Sequence, residues 1–217
     1  EVIEFGEDFL KIRCLYDDYE GWVQSIQMTE VNAGFVLEYP KRYTTRIEEY
    51  VLVLIMPLYL SLGTPVYNNW FLKKNKIEYP SYTNVSFHNR VFVEKTIIEI
   101  TSKFFNTSYL WGGRSSFGID CSGFTQQVFK FFNKKLLRDS YQQALQGEVI
   151  NFLQEVKCGD LAFFDNDAGY ITHVGILLDQ QTIIHCSGKV RIDKIDTQGN
   201  ITDEGLGTHK LRIIKRC

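Results

Sequence analysis

Apolar positions change their period once along this chain, near residue 91. Before that point the pattern is short and alternating. Leu10, Ile12 and Cys14 fall on one side of an extended segment, Lys11 and Arg13 on the other. Asp17-Asp18 predicts a turn, and Gly21-Trp22-Val23 predicts a further strand. Residues 32–49 are mixed and polar. A second strand-rich stretch runs from Val51 to Tyr67, interrupted by Pro57 and by Gly63-Thr64-Pro65. Short strands punctuated in this way predict a small all-β region, with the remains of a second.

After residue 91, Val93, Ile97, Ile100 and Phe104 recur at helical spacing. Tyr109-Leu110-Trp111 then reads as extended chain ending in the Gly112-Gly113 turn. Cys121 opens a second helix, with Phe124, Val128 and Phe131 facing inward and Gln127 and Lys130 facing water. Asp139 and Gln142 resemble a capping pair before a short third helix. Strand patterns follow at 161–164, 171–178, 182–186, 189–195 and 210–214. Helices followed by antiparallel strands, without βαβ units, predict an α+β domain rather than a parallel-sheet enzyme.

Composition narrows the function. Among 217 residues, 24 Lys and Arg stand against 26 Asp and Glu, a formal net charge of -2. That balance leaves no electrostatic footprint for nucleic acid or an anionic membrane. The longest apolar run, 51–56, is strand-sized, so no transmembrane segment is predicted. The chain opens at Glu1 directly into a strand pattern, which predicts a start inside a domain; any targeting signal would precede it. Five cysteines without a CxxC argue against structural zinc and against a disulfide framework. Gly112-Gly113 lacks the company of a GxGxxG or GKS, so phosphate binding is not predicted either.

Candidate chemistry centres on Cys121. It follows Asp120 at a predicted helix start, where unpaired N–H groups and the helix dipole favour a thiolate. A nucleophilic sulfur needs an imidazole to share its proton and a polar group to orient that imidazole. His173 and His185, on neighbouring predicted strands, supply both residue types. Zinc held by Cys121, His173 and His185 is the competing use of the same side chains. Tyr109 and Trp111 are either core or substrate wall. Strand parity adds a geometric condition: both histidines are odd-numbered, so they share a sheet face only if their hairpin has an even pairing sum. A sum of 358, with Leu178-Asp179-Gln180 as the loop, would put them directly across. Gly175 and Ile183 then share the histidine face, while Val174, Ile176 and Ile184 point to the core.

The strings YLWGGRSSFGIDCSGFTQ, GDLAFF, THVGILL and IIHCSG resemble, in order, the signatures of NlpC/P60 cysteine peptidases, over residues 91–217. These are bacterial papain-like enzymes that cleave peptidoglycan peptides. The resemblance implies Cys121 as nucleophile, His173 as general base and His185 as third polar residue, with no cofactor and no metal. It sets Asp120 and Ser122 beside the nucleophile, and in the subgroup that cleaves γ-D-glutamyl–diamino acid bonds that Asp resembles a ligand of the substrate's free L-alanyl amine. FLKIRCLYDDYEGWVQ is similar to the closing strands of a bacterial SH3 module, and Tyr19 is the matching candidate for a substrate-gripping tyrosine. The resemblance places the module's acidic partner further upstream than this chain extends, so either the chain is trimmed or that contact is replaced, and it implies a reduced second module between about 35 and 90.

The combined expectation is an SH3-like region over 1–88 and a papain-like α+β domain over 89–217. It would hydrolyse γ-D-glutamyl–diamino acid bonds in peptidoglycan-derived peptides, in the bacterial envelope or periplasm or on recycled peptides inside the cell. The rivals are a general endopeptidase of intact wall peptides, an acyltransferase using the same cysteine, and a catalytically silent wall-binding protein. Oligomeric state is not legible.

Overall fold

A computed structural model describes residues 1–30, 42–46, 49–53, 56–66, 71–72, 75–78, 85–87, 90–201 and 207–217. The chain divides into two compact units, Glu1–Pro40 and Lys41–Cys217.

The first unit is an antiparallel sheet of β1 (Val2–Phe5), β2 (Phe9–Arg13) and β3 (Glu20–Gln24). Its alternation is the one the sequence carries: Leu10 lies across from Val23 and Lys11 from Trp22. Asp18 takes a left-handed conformation (φ 58°) in the turn before β3, a role for which Asp is well suited. Arg13 bonds Glu20 across the two strands at 2.8 Å.

The second unit opens with short strands. These are β4 (Arg42–Thr44), β5 (Glu49–Val53), β6 (Met56–Leu60), β7 (Pro65–Val66), β8 (Phe71–Leu72), β9 (Asn75–Glu78) and β10 (Val85–Phe87). Pro57, expected to interrupt a strand, lies inside β6. It is tolerated because β6 is the edge of the sheet ordered β6-β5-β9-β8. Much of the reduced second module expected between 35 and 90, with His88, lies outside the described residues.

The helices are α1 (Glu94–Ser102), α2 (Cys121–Lys130) and α3 (Ser140–Gln143). Ile97, Ile100 and Phe104 are buried as the helical stripe requires, and Phe104 meets Phe124 of α2 edge-on at 5.8 Å. Each such side chain, fully buried, is worth about 1.5–3 kcal/mol. Gln142 Oε1 accepts from the Asp139 amide at 3.0 Å, in the capping pair expected there. The water-facing side expected for α2 is a correction. Gln127 is buried, and Lys130 donates to the Gly63 carbonyl at 3.0 Å while lying 4.6 Å over the Tyr43 ring. The reason is tertiary: Tyr43 and Leu62 join the same apolar cluster as Phe124, Val128 and Phe131, so the strands of the 42–66 segment cover a face that the helix period alone assigns to solvent.

Between α1 and α2, β11 (Arg114–Ser115) and β12 (Gly118–Ile119) make a small hairpin. The remaining strands are β13 (Glu148–Ile150), β14 (Leu161–Asp165), β15 (Ile171–Leu177), β16 (Thr182–Ser187), β17 (Lys189–Ile195), β18 (Gly199–Ile201) and β19 (Gly207–Arg216). Their order is β13-β19-β14-β15-β16-β17-β18, and β18 also pairs with β19. That last pairing closes six strands into a barrel, with β13 added along β19. Every ladder is antiparallel. One barrel face presents Leu161, Phe163, Val174, Ile176, Ile184 and Cys186 to the helices. The other gathers Ala162, Phe164, Leu177, Ile183 and Ile195. The fold is thus mixed α+β, with short helices against a C-terminal antiparallel barrel.

Candidate active site

Helix α2 starts at Cys121 because Asp120 caps it. Asp120 is extended (φ -98°, ψ 178°), and its Oδ1 accepts from the Gly123 amide at 2.6 Å. The same carboxylate is gripped by Arg138, whose Nη1 donates to Oδ1 at 3.1 Å and Nη2 to Oδ2 at 2.6 Å. Ser122 Oγ donates to Oδ1 at 3.3 Å and accepts from Arg138 at 3.0 Å, and the Gly112 amide donates to Oδ2 at 2.9 Å. A buried charge needs such a partner, so Arg138 is what permits a carboxylate beside the nucleophile.

The expected thiolate preference at the helix start is not what the surroundings produce. Burial, and then the Asp120 carboxylate, push the Cys121 thiol up to about 11, while the amides of Val174, Ser122 and Cys121 pull the other way. The resting sulfur is a neutral thiol. Tyr109 stands nearby: its phenol is pushed up to about 12, first by burial and then by Cys121 and Asp120. Trp111, two residues on, is 85% exposed. Tyr19 belongs to the first unit, immediately before β3.

The histidines meet as parity requires, with a two-position shift. The β15–β16 pairing sum is 360 rather than 358: Gly175 lies across from His185 and Ile176 from Ile184. The loop is therefore Asp179-Gln180-Gln181, closed by the Leu178 amide donating to the Thr182 carbonyl at 3.0 Å. Its Asp179 Oδ1 accepts from the Gln181 and Thr182 amides, a local turn that the tight primed types would not allow a Gln-Gln pair to make. Gly175 lets the strands approach: a Cβ there would stand 2.7 Å from that of His185 and 2.6 Å from Ile183 Cδ1. His173 lies beyond the first paired residue, diagonal to His185, and its Nε2 sits 2.7 Å from His185 Nδ1.

The chain of hydrogen bonds continues past the residues that sequence reasoning named. His185 Nε2 is 2.9 Å from Asp193 Oδ2. Asp193 is held by Arg191 Nε at 2.7 Å and Asn200 Nδ2 at 3.2 Å, and Asn200 Oδ1 lies 3.1 Å from His209 Nδ1. His209 in turn stacks on His173, centroids 4.1 Å apart and planes 21° from parallel. Asp193 could have been found. Gly188 (φ 69°) is a turn signal between Ser187 and Lys189, and the resulting pairing puts Asp193 opposite Ile183, on the histidine face. Asn200, His209 and Arg138 carry no comparable local signal.

Hydrogen bonding assigns the protons. Against the opposing effect of burial, the His185 contact and then Arg191 hold the Asp193 carboxyl below its usual range, so it is an acceptor. His185 therefore donates from Nε2 to Asp193, and in the tautomer that accepts from His173 its Nδ1 carries the lone pair. His173 then donates from Nε2 and keeps its Nδ1 lone pair, which has no hydrogen bond among the described residues. Burial holds His173 well below the usual histidine range, so it rests neutral. The Val174 amide, one residue along β15, acts on Cys121, which brings this strand to the nucleophile.

The metal alternative changes membership. The ligand atoms that gather, within 4.8 Å of one another, belong to His173, His185 and His209 rather than to the Cys121 combination considered above. Two imidazoles on one tetrahedral zinc stand about 3.3 Å apart at ordinary Zn–N lengths. His173 and His185 are closer, sharing a proton at 2.7 Å. The arrangement suits proton transfer.

Two neutral histidines, His173 buried and His209 partly buried, make stability depend on pH. Burial lowers His209 to about 4 and His173 well below 6.5, so the unfolded chain binds more protons below pH 6.5. Stability should fall as pH drops from about 6.5 toward 4, by up to ~1.4 kcal/mol per pH unit per histidine. Urea denaturation across that window should show proton uptake on unfolding, reduced by about one proton in His209→Phe. An identical pH slope in wild type and variant would refute the assignment.

Comparison with known proteins bears on this geometry. Residues 106–203 match the NlpC/P60 family. A gamma-D-glutamyl-L-lysine dipeptidyl-peptidase of Bacillus subtilis (strain 168) is 40% identical over 91 residues, 41% of this chain and 30% of that protein. The protein of the same name from Bacillus cereus (strain ATCC 10987) is 32% identical over 112 residues, 49% of this chain and 33% of that protein. The alignments thus span about a third of the length of these curated relatives. The crystal structure of an NlpC/P60 family protein from Bacillus cereus ATCC 10987 superposes with a TM-score of 0.80, covering 100% of this chain and 78% of that one at 22% identity, which shows a shared fold. Residues 106–203 thus resemble an NlpC/P60-family domain, and the relatives matched over this stretch are named as peptidases. Among the described residues no helix is long and apolar enough to cross a membrane.

Proposed function

We propose that this protein is a cysteine peptidase that hydrolyses the bond between the γ-carboxyl of D-glutamate and a diamino acid in peptidoglycan-derived peptides. The observation that carries the reading is the His173–His185–Asp193 hydrogen-bond chain, running from the strand that reaches the helix-start cysteine. The SH3-like region and papain-like domain, divided near 88/89, belong to the same reading; in the second unit, Tyr43 and Leu62 nonetheless pack with the catalytic half.

The reaction begins from neutral partners. Cys121 passes its thiol proton to His173 Nδ1 as Sγ bonds to the γ-carbonyl carbon. The oxyanion is met by the Cys121 backbone N–H, which at a helix start has no partner one turn earlier. As the C–N bond breaks, the imidazolium returns its proton to the departing amine, leaving a thioester. Water then attacks with His173 again as base, releasing the acid and restoring the thiol. His185 and Asp193 keep the basic lone pair of His173 on Nδ1 and offset the charge it gains.

Substrate selection belongs to the same proposal. Asp120, Ser122, Tyr109 and Trp111 are assigned to a peptide bearing a free N-terminal L-alanine. A carboxylate discriminates an ammonium from an amide by a charge-assisted bond worth about 1.5–3 kcal/mol, or roughly tenfold to a hundredfold in kcat/KM. The test is L-Ala-γ-D-Glu-L-Lys against its N-acetyl form. A preference of that size is expected, and it should shrink in Asp120→Asn. Equal rates would mean that the Asp120 charge is spent on Arg138, leaving the general endopeptidase reading.

A further inference from the structure

The network around His173 closes on itself. From His173 Nε2 it runs through His185 to Asp193 Oδ2. The same Oδ2 accepts from Asn200 Nδ2 at 3.2 Å, and Asn200 Oδ1 lies 3.1 Å from His209 Nδ1. His209 returns to the start by stacking on His173, centroids 4.1 Å apart. One carboxylate thus reaches the His173 ring twice, at its edge through His185 and on its face through His209.

The second arm fixes a tautomer, as the first does. An ionised Asp193 takes only donors, so the fully buried Asn200 turns its NH₂ toward the carboxylate and its oxygen toward His209. His209 therefore donates from Nδ1. Burial, and then His185, hold this ring down to about 4 against the pull of Asp193, so at neutral pH it is uncharged. Phe164 packs against both rings, 5.7 Å from His173 and 5.9 Å from His209, and braces the stack. An uncharged aromatic face attracts a cation lying over it, whereas a protonated ring in the same place repels one. With planes 21° from parallel, His209 presents such a face to His173.

We propose that His209 is a positioning residue for the base, held uncharged by the Asp193–Asn200 arm against the face of His173, where it steadies the imidazolium formed when the Cys121 thiol gives up its proton. This role rests on the peptidase reading for the identity of the base. It gives β18 and β19, which carry Asn200 and His209, a part in the chemistry as well as in barrel closure.

Two substitutions in the full chain test it. His209→Leu fills the volume without an aromatic face, and His209→Phe keeps the face. Two rates are read: hydrolysis of L-Ala-γ-D-Glu-L-Lys, and alkylation of Cys121 by iodoacetamide at pH 7, followed by mass spectrometry. Alkylation draws on the same proton transfer to His173 but needs no peptide. His209→Leu should lower kcat and the alkylation rate about tenfold, with KM changed by less than about twofold, and His209→Phe should restore both rates to within about threefold of wild type. Nitrogen NMR of the wild type at pH 7 should show His209 uncharged, with its proton on Nδ1. An alkylation rate in His209→Leu within about twofold of wild type overturns the proposal. A Phe variant as slow as the Leu variant does so too, because it reduces His209 to a packing group. A His209 proton found on Nε2 overturns the tautomer on which the role depends, and this measurement decides even if His209→Leu does not fold. Slow alkylation in the Leu variant, rescued by Phe, in a protein whose wild type leaves the peptide uncut supports the His209 contact and overturns the peptidase reading.

Discussion

Cys121→Ala is expected to lower kcat on L-Ala-γ-D-Glu-L-Lys by more than about a thousandfold while the protein stays folded. Removing a nucleophile from a catalytic triad leaves only binding and oxyanion stabilisation, several orders of magnitude below the intact site. The fold should survive because the helix start is held by Asp120 and Arg138, and the sulfur contributes only a small buried surface to the cluster around α2. Cys14, Cys158, Cys186 and Cys217 should be dispensable for chemistry. Cys186 differs from the other three in stability only, since it is fully buried and its thiol donates to the Ile119 carbonyl. Retention of more than about a thousandth of wild-type kcat by purified, folded Cys121→Ala would remove the nucleophile.

Asp193→Asn should cost about 10³–10⁴-fold in kcat, the scale seen when the carboxylate of a triad becomes an amide. The direction follows from its neighbours. Arg191 donates to Oδ1 at 2.7 Å, so an amide at this position keeps its oxygen there and turns its NH₂ toward His185. His185 must then accept at Nε2 and carry its proton on Nδ1. His173 is forced to accept at Nε2, its proton moves to Nδ1, and the lone pair that would take the thiol proton is gone. Nitrogen NMR of the two rings reads this tautomer exchange directly, and a merely structural loss would not produce it. A variant within tenfold of wild-type kcat, or a His185 still protonated at Nε2, would sink the positioning role given to Asp193.

The legibility of these features from sequence follows the range of the forces behind them. The stripe of α1, the start of α2 and the shared face of His173 and His185 are local regularities, because helix period and strand parity survive whatever packs against them. The position of the hairpin loop was off by one residue because Asp179 builds its own side-chain turn, a competitor to Leu178-Asp179-Gln180 that spacing does not reveal. Gln127 and Lys130 were misread because their cover comes from residues more than sixty positions earlier in the chain. The thiol at Cys121 was misjudged for a similar reason. A helix terminus is visible locally, but the burial that outweighs it is created by the barrel. Asn200 reaches Asp193 across the local β17–β18 hairpin, whereas His209 reaches His173 only once β19 pairs with β14, which depends on barrel closure rather than on any pattern within either strand.

That closure has a kinetic consequence. The helix bearing Cys121 and the hairpin bearing His173 and His185 are complete within a continuous stretch of chain, whereas the last stave, β19, brings His209 against them from further along. Pairings across such sequence separations form late, since the loop between them must be closed before the contacts reward it. A chain with its hairpins formed and its barrel still open has Asn200 on Asp193 but no His209 ring against His173. On the proposed mechanism, the ring that packs against the base His173 is then added in the last step of folding, and partly assembled copies of the molecule lack it.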